Sequence, residues 1–244
     1  MTNLRENSKN WAANHIITWG QESGAQAMKC CNQCDGIERL FNESTARQEL
    51  EDYRKSGPSR TTRILIDALK AAGIQNMSLI DIGGGVGAIQ HELLKAGAQH
   101  VTSVDASMAY ITAARKEAER LGQADRVTYH HGNFVTLAPE IEAADIVTLD
   151  RAICCYPDME ALVGLSSARA RQFYGVVFPR DTWLMKLGRQ VLNTLFWLQG
   201  NPFRFFVHPT QAVEAIINAN GLKRQFYHAG IFWQVVVYAR QRIT

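Results

Sequence analysis

No stretch of this sequence approaches the roughly 18 uninterrupted apolar residues of a membrane span, so stable membrane insertion is not expected. The opening segment, MTNLRENSKNWAANH, lacks the apolar core of a secretory signal, and a cytoplasmic protein is the expectation. Excess charge is scarce as well. A formal net charge of +3 over 244 residues leaves no basic tract, so nucleic-acid binding has no compositional support. The 5 cysteines are odd in number and fall in two clusters, Cys30, Cys31 and Cys34, then Cys154 and Cys155. That count argues against a secreted disulfide framework, and they are read as reduced thiols. What remains is a globular chain of ordinary composition, long enough for one full core with an extension.

The chain changes character along its length. Residues 1–36 are polar and carry no clear period, and a helical pattern then covers residues 37–54 through Ile37, Leu40, Phe41, Leu50 and Tyr53. SGPS at 56–59 breaks it, and Ser59 is a candidate cap for a second helix over Ile64, Leu65, Ala68 and Leu69, stopping at Gly73. Short apolar runs follow at 77–82 (MSLIDI), 100–105 (HVTSVD), 126–131 (RVTYHH), 144–150 (ADIVTLD) and 173–179 (FYGVVFP). Helical stretches ended by glycine separate the first three, as βαβ units and a parallel sheet require. KRQFYHAG and IFWQVVVYAR then read as two long strands meeting near Gly230, a terminal antiparallel pair. The expected fold class is α/β, a doubly wound, mainly parallel seven-stranded sheet. The expected division is a helical cap over residues 1–58 and a main domain over 59–244. Residues 181–208, rich in Trp, Phe and Leu with interleaved cations, fit either a helix packed on the core or a lid.

The glycine loop GGGVGA follows the first run. Gly83, Gly85 and Ala88 satisfy G-x-G-x-x-A, and Asp105 follows Gly85 by twenty residues, which is the dinucleotide fingerprint. An NAD(P)-dependent oxidoreductase is therefore one reading, and a bare structural turn another. Three residues point elsewhere. Asp81, just before the glycines, would repel a pyrophosphate but could hold a cationic amino-acid group. Asp105 ends the second strand, where a carboxylate can accept both ribose hydroxyls. HGNF at 131–134 offers Asn133 and Phe134 to an adenine. An amino-acid group, a ribose and an adenine without phosphate describe S-adenosylmethionine.

DIGGGVG, VDASM and GNF, in that order and spacing, resemble the class I S-adenosylmethionine-dependent methyltransferases over residue 64 onward. The resemblance implies that Asp81, Gly83, Gly84, Gly85 and Gly87 cradle the amino-acid part of the cofactor. It also implies that Asp105 binds the ribose, that Ala106 and Met108 line the adenine, and that Asn133 and Phe134 contact it. Many members carry Asp at the Asn133 position, and Asn keeps an acceptor there.

LFN at 40–42, LDRAICCYPDMEAL at 149–162 and the run from WLMKLG to FFVHPTQAVEAIINANG are similar to the magnesium-protoporphyrin IX O-methyltransferase branch. This implies O-methylation of a small or flat amphipathic acceptor bearing a carboxylate or hydroxyl, with a porphyrin as one candidate. The branch typically has Tyr where this chain has Leu40 and His where it has Cys155, which puts the porphyrin itself in doubt. Asp150, Arg151, Cys155, Tyr156 and His208 are the candidate catalytic residues. Arg180, Lys186, Arg204 and His208 are candidates to steer an anionic acceptor, and Trp183, Phe203 and Phe205 to cover an apolar body. His130 and His131 adjoin the third strand, and a general-base role is the lesser expectation for them. No metal is assigned: Cys30, Cys31 and Cys34 could hold a thiophilic ion with Cys154 or His15, but buried or incidental thiols are the favoured expectation. A metal- or porphyrin-binding protein without enzymatic activity remains the second alternative.

Overall fold

Burial of both faces of the central strands organises the molecule. In the computed structural model, which describes residues 32–241, β1 (Ser78–Ile82), β2 (His100–Asp105), β3 (Val127–His131), β4 (Ala144–Asp150) and β5 (Ala170–Pro179) run parallel. Then β6 (Leu222–Ala229) and β7 (Trp233–Arg240) add antiparallel, with β7 inserted between β5 and β6 to give the order β3-β2-β1-β4-β5-β7-β6. This is the doubly wound, mainly parallel seven-stranded sheet with a terminal antiparallel pair that the apolar runs predict. The fifth strand starts earlier than its apolar run, because Ala170 pairs with Ala144 ahead of a register shift.

Alternation assigns side chains to two cores. Ile80, Ile82, Val147, Leu149, Val236 and Tyr238 face one layer. Leu79, Ile146, Val235 and Val237 face the other. Nine α-helices of the described residues accompany the sheet: α1 (Asn32–Leu40), α2 (Glu43–Ser56), α3 (Arg60–Ala72), α4 (Ala88–Lys95), α5 (Met108–Arg120), α6 (Phe134–Leu137), α7 (Met159–Ala168), α8 (Trp183–Leu198) and α9 (Thr210–Ala219). Leu162 and Val163 of α7 join Val213 and Ile217 of α9 in the first core. Leu65 and Leu69 of α3 join Leu93 of α4 in the second.

Two expectations for the N-terminal part change. The helical pattern over 37–54 is two helices, because Asn42 accepts from the amides of Ser44 and Thr45 at 3.0 and 3.2 Å and starts α2 anew. Ser59 stands at the start of α3 but does not cap it through its side chain. Its hydroxyl instead meets that of Thr62 at 2.7 Å, because Thr62 is itself engaged with the end of β4.

The first helices dock on distant segments. Gln33 donates to the carbonyls of Cys155 and Arg204 at 2.9 and 2.8 Å and accepts from the Arg204 amide at 3.0 Å. Leu50 and Tyr53 of α2 pack with Tyr110 of α5, and Arg54 and Arg120 both pair with Glu117, which is buried on α5. Hydrogen bonding from Arg120, ahead of that from Arg54, holds the Glu117 carboxyl down at about 2. The seat of α1 depends on Gly36, whose missing side chain makes room for the Phe203 backbone. Gly36→Ala should therefore unseat α1, at the roughly 1–3 kcal/mol of an overpacked contact. Hydrogen exchange should rise over α1 and the residues near Phe203 while the strands of the sheet keep their protection.

Candidate active site

The sheet order reverses direction between β1 and β4, so the connections leaving their carboxyl ends part and open a crevice, as ligand sites in open α/β sheets do. A cavity of about 1150 Å³ occupies it. One wall is the glycine loop. Gly83, Gly85 and Gly87 adopt φ of +66°, +57° and +83°, a region that disfavours other residues. A Cβ on Gly84 would come within 2.6 Å of Asp81 Oδ2, so the loop also closes tightly over β1.

Asp81 lies beneath this loop rather than on the cavity surface. It is fully buried, and Oδ1 accepts from Thr148 Oγ1 at 2.7 Å while Oδ2 has no hydrogen-bond partner. Burial pushes its carboxyl up to about 7, with the nearby Asp150 and Asp105 adding to the rise against the Thr148 bond. Asp105, at the end of β2, accepts from Ser107 N at 2.8 Å and from Gly85 N at 3.1 Å. Burial raises it to about 6, and those two amides oppose the rise. Its carboxylate thus ties β2 to the glycine loop while it borders the cavity.

Asp150 and Arg151 end β4. Asp150 accepts from Thr62 Oγ1 at 2.5 Å and from Arg151 Nε at 3.2 Å. Arg151 has φ of +58°, an uncommon region for a residue with a side chain. Asn133 starts α6 by accepting from Val135 N at 3.0 Å, and its amide donates to the Tyr156 hydroxyl at 2.9 Å.

Eleven of the expected site residues line the one cavity: Gly83, Gly84, Gly85, Asp105, Ala106, Asn133, Phe134, Asp150, Arg151, Cys155 and Tyr156. The other four do not. Asp81 is underneath the loop, and Gly87 stands at the start of α4. Met108 is 47% exposed on the outer side of α5, because the chain has already turned into the helix. His208 sits behind Tyr156, with Nε2 at 3.0 Å from its carbonyl, and burial lowers its pKa.

The expected acceptor-steering cations are displaced too. Arg180 reaches the Gly230 carbonyl, Arg204 the carbonyls of Asn201 and Phe203, and Lys186 is exposed on α8. The cations on the cavity are Arg60, Arg63 and Arg151. Arg60 and Arg63 belong to the polar side of α3, which the apolar period over Ile64, Leu65, Ala68 and Leu69 does not register. Phe203 and Phe205 do line the cavity, joined by Phe41, Phe196 and Trp233, whereas Trp183 is 76% exposed. His131 is outside it, paired with Glu38 of α1 at 3.2 Å. Among the described residues no three His, Cys, Asp or Glu side chains gather to hold a metal ion. His15, Cys30 and Cys31 lie outside the described residues.

Residues 79–170 match the family described as Methyltransferase domain. The match spans β1 to the start of β5, the stretch that carries the three motifs. S-adenosylmethionine is the methyl donor such domains use. The seven-stranded fold is shared with the magnesium protoporphyrin IX methyltransferase of Synechocystis PCC 6803, solved with bound S-adenosylhomocysteine. That likeness has a TM-score of 0.65 and 19% identity and covers 86% of this chain and all of that one. Geranyl diphosphate C-methyltransferase from Streptomyces coelicolor gives a TM-score of 0.64 at 14% identity, over 88% of this chain. By sequence, the ribosomal protein L11 methyltransferase of Shewanella baltica is 32% identical over 91 residues, 37% of this chain and 29% of that protein. The chain thus matches less than a third of the length of such curated relatives. The oxidoreductase reading of the glycine loop gives way to these matches.

The two raised carboxyls set a pH dependence. Asp81 and Asp105 keep protons in the folded chain at pH values where an unfolded aspartate has lost them. Folding therefore takes up protons between the ordinary 3.8 and about 7, and the ligand-free protein should lose stability as pH rises through that window. Each unit of difference is worth about 1.4 kcal/mol. Asp81→Asn should remove the part of the fall above about pH 6, where Asp105 no longer contributes. Its melting temperature at pH 8 should then exceed that of the unsubstituted protein, measured without ligand.

Proposed function

We propose that the chain transfers a methyl group from S-adenosylmethionine to an oxygen of a small or flat amphipathic acceptor, a carboxylate first and a hydroxyl second. The observation that carries this reading is the make-up of the cavity. One end has the glycine loop and Asp105, and the rest is walled by Phe41, Phe196, Phe203, Phe205 and Trp233 with Arg60, Arg63 and Arg151 among them.

The residues fit the cofactor. The orphaned Asp81 Oδ2 beneath the loop is a buried acceptor without a partner, suited to a cationic amino group. Asp105 presents a carboxylate at the strand end where a ribose diol would bind. Gly83, Gly84 and Gly85 bring bare backbone to the cavity wall, with the Gly83 α-carbon set so that a Cβ would meet Ala152 at 3.0 Å. S-adenosylmethionine, when bound, supplies a methyl group activated by its sulfonium. Attack by an acceptor oxygen would form the new C–O bond as the S–C bond breaks, with the electron pair passing to sulfur.

A carboxylate needs no general base at neutral pH, so the task left to the protein is alignment and exclusion of water. Arg151, held against Asp150, is the cation placed to orient such an acceptor. Helix α1 with the segment around Phe203 and Phe205 would form the roof, and α8 its outer edge through Leu192 and Phe196. The described part of the expected cap and lid is thereby given a role. The aromatic walls of the chamber favour a planar apolar acceptor, in keeping with the porphyrin named for the Synechocystis enzyme. The Shewanella match raises a protein acceptor as the contrasting case.

Thermal shift separates the cofactor classes. S-adenosylhomocysteine at a hundredfold excess over its dissociation constant should stabilise the protein by about 2.7 kcal/mol, while NAD and NADP should not. Asp105→Ala should abolish the shift, and an unchanged shift would remove Asp105 from the site. Transfer of labelled methyl should be found on a panel of planar carboxylates, porphyrin propionates included, and not on ribosomal protein L11. Arg151→Gln should raise the acceptor KM about tenfold or more, the loss of one charge-assisted contact, and leave the S-adenosylhomocysteine shift in place. Labelling of L11 alone would overturn the acceptor assignment.

A further inference from the structure

Two cysteine clusters far apart in sequence meet at one cavity. Cys154 and Cys155 close the tight 3₁₀ turn Ile153–Cys155 that follows β4. In a strand, consecutive side chains point to opposite faces; here the turn brings both sulfurs to one side, 3.9 Å apart. Both point at the Arg151 carbonyl, at 3.0 and 3.5 Å. Cys34 of α1 lines the same cavity as this pair, and its neighbour Gln33 is bonded to the Cys155 carbonyl at 2.9 Å.

The arrangement is more than a buried thiol. Cys154 is 2% exposed, but Cys155 is open to the cavity, so a ligand entering there meets one sulfur with the second directly behind it. Among the described residues no third ligating side chain joins them, which disfavours the four-coordinate geometry of a structural zinc site. It favours a ligand that is satisfied by two sulfurs and carries its own third substituent. The hydrogen bond from Cys155, burial and the Cys155 charge push the Cys154 thiol up, so Cys154 holds its proton at neutral pH. A ligand that reacts with neutral thiols is therefore the suitable one.

We propose that Cys154 and Cys155 form a bidentate site for soft trivalent metalloids, in particular organoarsenicals of the form R–As(OH)₂. Two S–As bonds form, two As–OH bonds break, and the two thiol protons leave with the hydroxyls as two molecules of water. Arsenic stays trivalent, and no oxidant or reductant is needed. The site is independent of the methyl-transfer reading, since adduct formation requires neither cofactor nor acceptor.

Phenylarsine oxide is the probe; it loses one water per bridged pair. The full-length Cys30→Ser/Cys31→Ser/Cys34→Ser variant, in which only Cys154 and Cys155 remain, should take up one phenylarsenic group by intact mass. Both remaining cysteines should then resist alkylation, and 2,3-dimercaptopropanol should release the group where equimolar 2-mercaptoethanol does not. Adding Cys155→Ser should weaken binding by about 100-fold, the loss of the chelate. If the triple substitution perturbs folding, alkylation mapping of the unsubstituted chain decides, since it should show Cys154 and Cys155 protected together. Protection confined to Cys30, Cys31 and Cys34, protection of only one member of the pair, or no stable adduct would each overturn the proposal. A chain that forms the adduct but shows no S-adenosylhomocysteine shift would retain the thiol site and lose the function proposed above.

Discussion

Three aspartates stand at or next to the carboxyl ends of three neighbouring parallel strands, Asp105 on β2, Asp81 on β1 and Asp150 on β4, and much of the local architecture serves to make that tolerable. Like charges this close in a dry interior repel strongly, and each aspartate is relieved differently. Asp81 keeps its proton into the neutral range and leans on Thr148. Asp105 receives two backbone amides, one from the glycine loop and one from the start of α5. Asp150 is clasped by Thr62 from α3 and by its own neighbour Arg151. The glycine loop, the first turn of α3 and the left-handed Arg151 are in this sense consequences of one electrostatic constraint. A cationic ligand would be welcomed by the same arrangement.

The remaining buried polar atoms near the loop follow a related logic. His91 and Gln90 of α4 lie on the Asp81 side of the sheet, and His91 Nε2 and Gln90 Oε1 join Asp81 Oδ2 as acceptors or donors without hydrogen-bond partners. A Cβ on Gly87 would press within 2.8 Å of His91 Nε2, so the loop's last glycine is fixed by what is packed beneath it rather than by the cavity above. Burial lowers the His91 pKa and keeps the ring neutral there.

The central strands were readable because β1, β4, β5 and β7 are buried on two faces and must be apolar over most of their length, whatever surrounds them. Asp81, Asp105 and Asn133 were readable for a related reason: strand ends in this topology lie at one edge, so their spacing in sequence becomes proximity in space. Side-chain direction was not readable. Arg180, Lys186 and Arg204 sit in a basic, aromatic stretch, yet only its aromatics Phe203 and Phe205, with Leu192 and Phe196, turn inward. Whether a cation near the site faces it depends on how α8 and the chain after it are seated, and pattern alone does not specify that. Helix α8 shows the same limit, since Leu184, Leu187, Val191, Leu195 and Leu198 all face outward. The capping role of Asn42 was within reach of the sequence, because Asn before Glu-Ser-Thr is a helix start. The apolar period runs straight through it and hides the break between the two helices.

The grip of Gln33 on Cys155 and Arg204 has a consequence for how the molecule comes into being. Those partners lie 122 and 171 residues further along the chain. On a ribosome α1 emerges well before those partners and finds neither of them to hold. The sheet is likewise incomplete until its last strand, β7, slides between β5 and β6. Contacts of such long sequence separation form late and slowly, so α1 is made well before the partners that hold it and is among the last elements to be set in place. Until α1 docks, the thiols and carboxylates beneath it stand open to water.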